Sequence, residues 1–247
     1  MSPIITLLTD FGTADGFVGE MKGVLLNDAP AAVLVDISHE LAPHDVQLGR
    51  LTLARYWQRF PAGTVHLAVV DPGVGSSRAA LAVECEGRFL VGPDNGLLSP
   101  ALVITRARAV VIPVPAGAAP TFHGRDVFAP AAARLANGDP LDALGEVAAS
   151  PVILRTPLAQ RSAAGELQGE VIAIDRFGNA ITSLLAARGS IVSVAGHELP
   201  LCRTYADLPR GEAGAVTGSS GFIEIVVREG RAADVLRLAR GAPVTLR

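Results

Sequence analysis

Lysine is nearly missing from this chain. Lys22 is the only one in 247 residues, and the other cationic side chains are arginines. That scarcity reads as compositional bias and carries no function by itself. With a formal net charge of −3, there is no sign of the grouped Lys and Arg that a nucleic-acid face requires. Only 18% of the residues are charged and 49% are apolar, which excludes a disordered chain and allows a sizeable core. Cys85 and Cys202 are the only cysteines. They lie far apart without metal-ligand spacing, so reduced, structural thiols are expected. No apolar run reaches the ~18 residues of a membrane helix. No basic segment precedes the first apolar run, so no signal peptide is expected. A Walker A pattern and a helix-opening G-x-G-x-x-G are both missing, which argues against a nucleoside triphosphate or a Rossmann-type dinucleotide. The expectation is a cytoplasmic protein that binds neither membrane nor nucleic acid.

What is present centres on Val65 to Arg78, V-H-L-A-V-V-D-P-G-V-G-S-S-R. An apolar run ends at Asp71, a Pro/Gly turn follows, and Arg78 closes it. A buried strand thus carries a carboxylate at its tip, where open α/β sheets bind ligands. Asp71, Arg78 and His123 are the candidate active site. Upstream, Ile4 to Thr9 reads as a buried strand and Ala32 to Ile37 as a second strand. Helical spacing runs from Asp15 to Pro30 and from His44 to Phe60. The order β-α-β-α-β predicts a mainly parallel sheet with right-handed crossovers. Asp10, Asp36 and Asp71 at successive strand ends suggest a polar crevice. Ala80 to Cys85 and Arg88 to Val91 read as strands joined at Glu86-Gly87, and Ala109 to Val114 as another. His123 precedes a helical stretch, Val127 to Asn137, where backbone N–H groups favour a polar or anionic group.

Past residue 158 the pattern changes. Short apolar runs separated by Gly/Asn/Asp turns predict a small β-barrel or sandwich, with one helix at Ala232 to Leu238. The expected organisation is an N-terminal α/β domain, 1–158, and a C-terminal β domain, 159–247.

Each candidate has a plain alternative. Asp71 and Arg78 could be a turn carboxylate with its salt-bridge partner. A histidine at a loop–helix junction is by itself more often structural than catalytic. His39, His44, Asp36 and Asp45 do not match a helical ligand pair and no cysteine joins them, so no metal is expected. His66 reads as a sheet position. Asp175 to Asn179 could be a hairpin turn, or its aromatic could clamp a planar ring. Gly218 to Phe222 could be a flexible turn.

Taken together, T-D-F-G, D-P-G-V-G-S-S-R, G-P-D-N-G-L-L, T-F-H-G-R-D-V-F-A-P-A-A, D-R-F-G-N and S-S-G-F-I-E-I occur in order from Thr9 to Ile225. This series resembles the S-adenosyl-L-methionine hydrolases, or hydroxide adenosyltransferases, relatives of the fluorinase and chlorinase. The resemblance implies an α/β domain, a β domain and a homotrimer with sites at subunit interfaces. It implies that Asp71, Arg78 and His123 handle water, a set the halogenases lack. It implies that Asp10 holds the ribose hydroxyls, that Asp175 and Ser219 meet the methionine end, and that Phe177 and Asn179 line the adenine pocket. Glu224, in the last motif, is a further substrate-binding candidate. Asp94 and Asn95 stand in a family motif without an assigned role. Arg228-Glu229 and His44 depart from the family pattern. The implied reaction is attack of water at ribose C5′ with methionine leaving, S-adenosyl-L-methionine being the substrate and no cofactor or metal taking part. Either Asp71 or His123 would accept the proton. The alternatives are a halide-dependent 5′-halo-adenosine synthase of the same superfamily and a non-catalytic adenosine or S-adenosyl-L-methionine binder.

Overall fold

The computed structural model describes residues 2–185 and 189–247. The chain divides into two compact units, Met1–Leu154 and Arg155–Arg247.

The first unit opens with β1 (Ile4–Thr9), α1 (Phe17–Asp28), β2 (Val33–Ser38), α2 (Val46–Tyr56) and β3 (Val65–Val69). β4 (Ala80–Cys85), β5 (Arg88–Pro93), α3 (Ser99–Leu102) and β6 (Arg108–Ile112) follow. A π-helical turn, Gly124–Phe128, leads into α4 (Ala129–Ala136), and β7 (Glu146–Val147) comes last. The sheet order is β2-β1-β3-β5-β4-β6-β7. β2, β1, β3 and β5 are parallel neighbours. β4 then returns antiparallel against β5, and β6 and β7 continue antiparallel. The expected parallel sheet therefore covers one half only. The Glu86-Gly87 hairpin reverses the direction, with Glu86 and Gly87 both at positive φ.

Side chains alternate along β3. Val65, Leu67 and Val69 join the core under α1 and α4, while Ala68 and Val70 join the core under α2. Asp71 continues the odd-numbered series, so it falls on the α4 face, where the segment holding His123 packs. α2 begins at Asp45, whose carboxylate accepts the Leu48 N–H at 2.9 Å. This acid is a helix cap.

The second unit contains β8 (Gln160–Arg161), β9 (Leu167–Ile174), β10 (Ala180–Leu185), β11 (Ile191–Val194), β12 (His197–Cys202), β13 (Ala213–Thr217), β14 (Phe222–Val227), α5 (Ala232–Val235) and β15 (Pro243–Leu246). Seven strands pair in the ring β10-β14-β13-β12-β11-β15-β9, which closes through β9 and β10, and β8 extends β9. Of barrel and sandwich, closure selects the barrel. Val171, Ala180, Ile223 and Ile225 are among the side chains that fill it. The helix expected to run to Leu238 stops after one turn, and Arg237 adopts a positive φ beyond its end.

Candidate active site

The turn after β3 is built to return Arg78 to Asp71. Ser76 N–H and its hydroxyl both donate to Gly73 O, at 3.1 and 2.6 Å. Gly75 has φ +75°, and a Cβ there would lie 2.5 Å from Pro120 O. Only glycine satisfies both conditions. Gly75→Ala is expected to destabilise the fold by roughly 1–3 kcal/mol, as strained backbone does. Chemical denaturation measures that loss, and turnover should drop with it.

Arg78 then makes a fork. Its Nε donates to Asp71 Oδ1 at 2.9 Å and its Nη2 makes a short bond to Asp71 Oδ2. The same Nη2 donates to His123 Nδ1 at 3.0 Å, and Nη1 donates to Ala79 O at 3.1 Å. The Asp71 and Arg78 side chains are 5% and 10% exposed, and the guanidinium lies 5.2 Å from the Phe128 ring centroid. The structure thus brings all three candidates together. Arginine has only donors, so His123 Nδ1 is an acceptor and the ring proton is assigned to Nε2. Burial, and then the Arg78 charge, push the His123 pKa down, with Asp71 and Asp126 opposing. Both main causes keep the imidazole neutral.

Asp71 and His123 line a pocket of about 170 Å³ with Val69, Val74, Phe11, Phe17 and Phe122. The three phenylalanines meet edge to face, with centroids 5.3 to 6.3 Å apart. This apolar wall was not among the expected site residues. Its signal lay in the motifs themselves, since Phe11 and Phe122 are the aromatics of T-D-F-G and T-F-H-G-R-D.

Asp10 sits at the β1 tip, adjacent to the β3 tip through the Thr9–Val69 pairing. Its Oδ2 accepts the His44 N–H at 2.7 Å, and His44 holds a positive φ of 67°. Asp36, the third strand-end acid, faces Lys22 and His39 instead of an open crevice. Asp94 and Asn95 brace the fold. Asn95 Nδ2 donates to Val70 O at 2.9 Å, one residue before Asp71, and Asp94 Oδ1 accepts the Val152 N–H at 2.7 Å. His66 is buried in β3 and bonds Thr6 Oγ1 at 2.8 Å. Among the described residues, no group of three His, Cys, Asp or Glu is arranged to hold a metal ion. No helix among them is long and apolar enough to cross a membrane.

The remaining candidates lie in the second unit. Asp175 anchors the β9–β10 turn: its two oxygens accept the Asn179 N–H at 2.8 Å and Asn179 Nδ2 at 3.0 Å. Each carboxylate oxygen keeps a further lone pair for a ligand. Phe177, 75% exposed, and Asn179 line an open cleft of about 680 Å³ with Tyr205, Val227, Arg228 and Arg231. Arg228 closes one edge, because its Nη1 donates to Ala206 O at 3.2 Å and Leu208 O at 2.7 Å. Glu224, 7% exposed, lies on the outer barrel face and accepts the Tyr205 hydroxyl at 3.3 Å. Burial, followed by the Glu224 charge, raises the Tyr205 pKa. Ser219 is exposed in the β13–β14 turn. Tyr205 was not anticipated, since a single aromatic in a polar loop has no periodic signal.

Family profiles match both units. The SAM hydroxide adenosyltransferase N-terminal domain matches residues 5–145, and the C-terminal domain of the same name matches residues 169–245. The chain is 42% identical to an (R)-S-adenosyl-L-methionine hydrolase of Thermus thermophilus, over 100% of both chains. A protein of the same name from Salinispora arenicola is 41% identical, covering 97% of this chain and 96% of that one. A fluorinase of Actinopolyspora mzabensis is 31% identical over 98% of this chain and 96% of that one. A conserved protein from Thermotoga maritima, known from its crystal structure, superposes with TM-score 0.89 at 33% identity, covering 98% of this chain and 100% of that one. With profiles on both units and relatives matched end to end, the chain belongs to the SAM hydroxide adenosyltransferase family.

Proposed function

We propose that this chain hydrolyses S-adenosyl-L-methionine to adenosine and L-methionine. The observation that carries the reading is the Arg78 fork, which joins Asp71 to His123 beside an aromatic pocket. Three hydrolase-named relatives share 40–42% identity over nearly the whole chain and a fourth 37% over 73% of it, against 26–31% for three fluorinases. S-adenosyl-L-methionine enters as the substrate, and the reaction needs no cofactor. The relatives' names specify the (R) sulfonium epimer, and we take that epimer as substrate.

The chemistry is a displacement at ribose C5′. The water oxygen forms a bond to C5′ while the C5′–S bond breaks, and its electron pair stays on sulfur. Methionine leaves as a neutral thioether, so no general acid is required. Water loses one proton. Arg78 cannot accept it, and His123 Nδ1 is already occupied by Arg78 Nη2. Asp71 is the member with free lone pairs for it, and it passes the proton to solvent. His123, with its proton on Nε2, orients the water, and Arg78 fixes both partners. General-base assistance of this kind contributes about 10²–10⁴-fold. In-line placement of water, C5′ and sulfur supplies several kcal/mol more, out of the ~7–11 kcal/mol available in ideal cases.

The binding roles follow the same reading. Asp10 takes the ribose hydroxyls through the oxygen not used by His44. Phe177 and Asn179 take the adenine. Asp175, Ser219 and Glu224 face the methionine end. The working state is a cytoplasmic homotrimer with sites at subunit interfaces. Incubation with each sulfonium epimer, followed by chromatography, tests the proposal. Adenosine should form, faster from the (R) epimer, and added chloride or fluoride should yield no 5′-halo-adenosine. Saturable binding without product would favour a non-catalytic binder.

A further inference from the structure

We propose that His39 is a positioning residue, which locks the T-D-F-G segment at the tip of β1 and so holds Asp10 and Phe11 in place. What those two groups meet rests on the substrate reading above.

His39 is 4% exposed and holds that segment in two ways. Its Nδ1 lies 2.8 Å from Thr9 Oγ1, and its carbonyl accepts the Gly12 N–H at 2.7 Å. Thr9 Oγ1 in turn accepts the Phe11 N–H at 3.3 Å. Further along, Thr13 donates to Glu40 at 2.9 Å and His44 N–H donates to Asp10 at 2.7 Å. Residues 9–13 are thereby fastened to residues 39–44 around one buried imidazole.

The donor directions are consistent along the chain. Asp36 accepts from His39 Nε2 at 3.1 Å and from Lys22 Nζ at 2.6 Å. A carboxylate has only acceptors, so Nε2 carries the proton. In the neutral ring, Nδ1 accepts the Thr9 hydroxyl proton, which leaves the Thr9 oxygen free for Phe11. Desolvation opposes the charge on Asp36, but the bonds from Lys22 and His39 outweigh it and hold its carboxyl below the ordinary value. The chain's single lysine therefore ends a relay that begins at the pocket wall, since Phe11 lines the pocket with Asp71 and His123. Hydrogen bonds of this kind fix the orientation of the group that meets a ligand without themselves touching it.

Three variants test this. Thr9→Val removes the hydroxyl at constant shape. His39→Gln places an amide near the Nε2 position and abandons Thr9, whereas His39→Asn places one near Nδ1 and keeps it. Thr9→Val and His39→Gln should each raise KM roughly tenfold, because both loosen the groups that meet the substrate, and a loss of about 1.4 kcal/mol of binding is tenfold. Their double variant should lose no more than either alone, and His39→Asn should stay close to the unmodified protein. Losses that multiply, a loss confined to kcat, or His39→Asn as weak as His39→Gln would overturn the proposal. Hydrogen exchange at the Phe11 and Gly12 amides reads the lock without turnover. It should accelerate in Thr9→Val and His39→Gln but not in His39→Asn. If the unmodified protein yields no adenosine, the substrate reading fails while exchange still decides the role of His39.

Discussion

Asp71→Asn is expected to lower kcat for S-adenosyl-L-methionine by roughly 10²–10⁴-fold, the range for losing a general base. Affinity for the substrate, measured by calorimetry, should change little, because in the proposed mechanism Asp71 acts on water and not on the nucleoside. The asparagine keeps one oxygen for Arg78 Nε but puts an N–H donor against Nη2, itself a donor, where a carboxylate oxygen now accepts. A buried guanidinium then loses its compensating charge. Breaking such a pair by removing one partner typically costs about 3–5 kcal/mol, and the isosteric change keeps the loss at the lower end. Thermal unfolding should therefore fall alongside kcat, and activity must be measured well below the lowered midpoint. His123→Asn offers the contrast, because it removes the Nε2 donor while the Asp71–Arg78 pair stays whole. It should reduce kcat less than Asp71→Asn. A variant of Asp71 whose whole loss lies in affinity, with kcat retained, would reject the assignment of the proton to this carboxylate.

The parallel half of the sheet was legible because β1 and β3 are buried on both faces, which leaves continuous apolar runs bounded by turn residues. The antiparallel half was half legible. The Glu86-Gly87 turn joins β4 to β5, but nothing local shows that β4 inserts between β5 and β6. β7 and β8 have only two residues each, too few for any period. Barrel closure depends on β9 pairing with both β10 and β15, and such distant pairings leave no mark on either strand.

The site divides in the same way. Asp71 and Arg78 were readable because the six turn residues between them bring them together, and strand alternation then puts Asp71 on the α4 face. Acids at strand tips could not be ranked, since their partners lie elsewhere in the chain. Asp36 is taken by Lys22 and His39, Asp45 caps α2, and Asp10 steadies His44. The phenylalanine wall was hidden because an aromatic beside glycine looks the same whether it fills a core or lines a pocket. Its pocket role appears only when Phe11, Phe17 and Phe122 are brought together from three segments.

Lowering the pH from 7 to 4 is expected to remove roughly 3 kcal/mol of stability through His66 alone, at about 1.4 kcal/mol per pKa unit. The side chain is fully buried in β3 against the rings of Tyr56, Trp57 and Phe60. Burial, helped by the Arg88 charge, pushes its pKa from 6.5 to about 4. Between those values the unfolded chain binds a proton that the folded chain refuses, so acid favours unfolding. The contribution is complete above the unfolded value, is lost as pH falls through the window, and saturates below about 4. Urea denaturation of the unmodified protein and of His66→Asn, at pH 7 and pH 5, measures it. The asparagine can keep the Thr6 bond but cannot titrate. It will be less stable at both pH values, because it leaves space among three aromatic rings. Its stability should nevertheless fall by about 2 kcal/mol less between pH 7 and pH 5 than that of the unmodified protein, as one and a half units at ~1.4 kcal/mol each require. An equal fall in both would remove His66 as the cause. His123, whose pKa is also lowered, adds to the slope of both proteins equally and cancels in the comparison. β3 carries His66 and Asp71 on opposite faces, so protonating the one unravels the strand that presents the other. Acid inactivation should therefore follow the unfolding midpoint, and not the titration of the pocket.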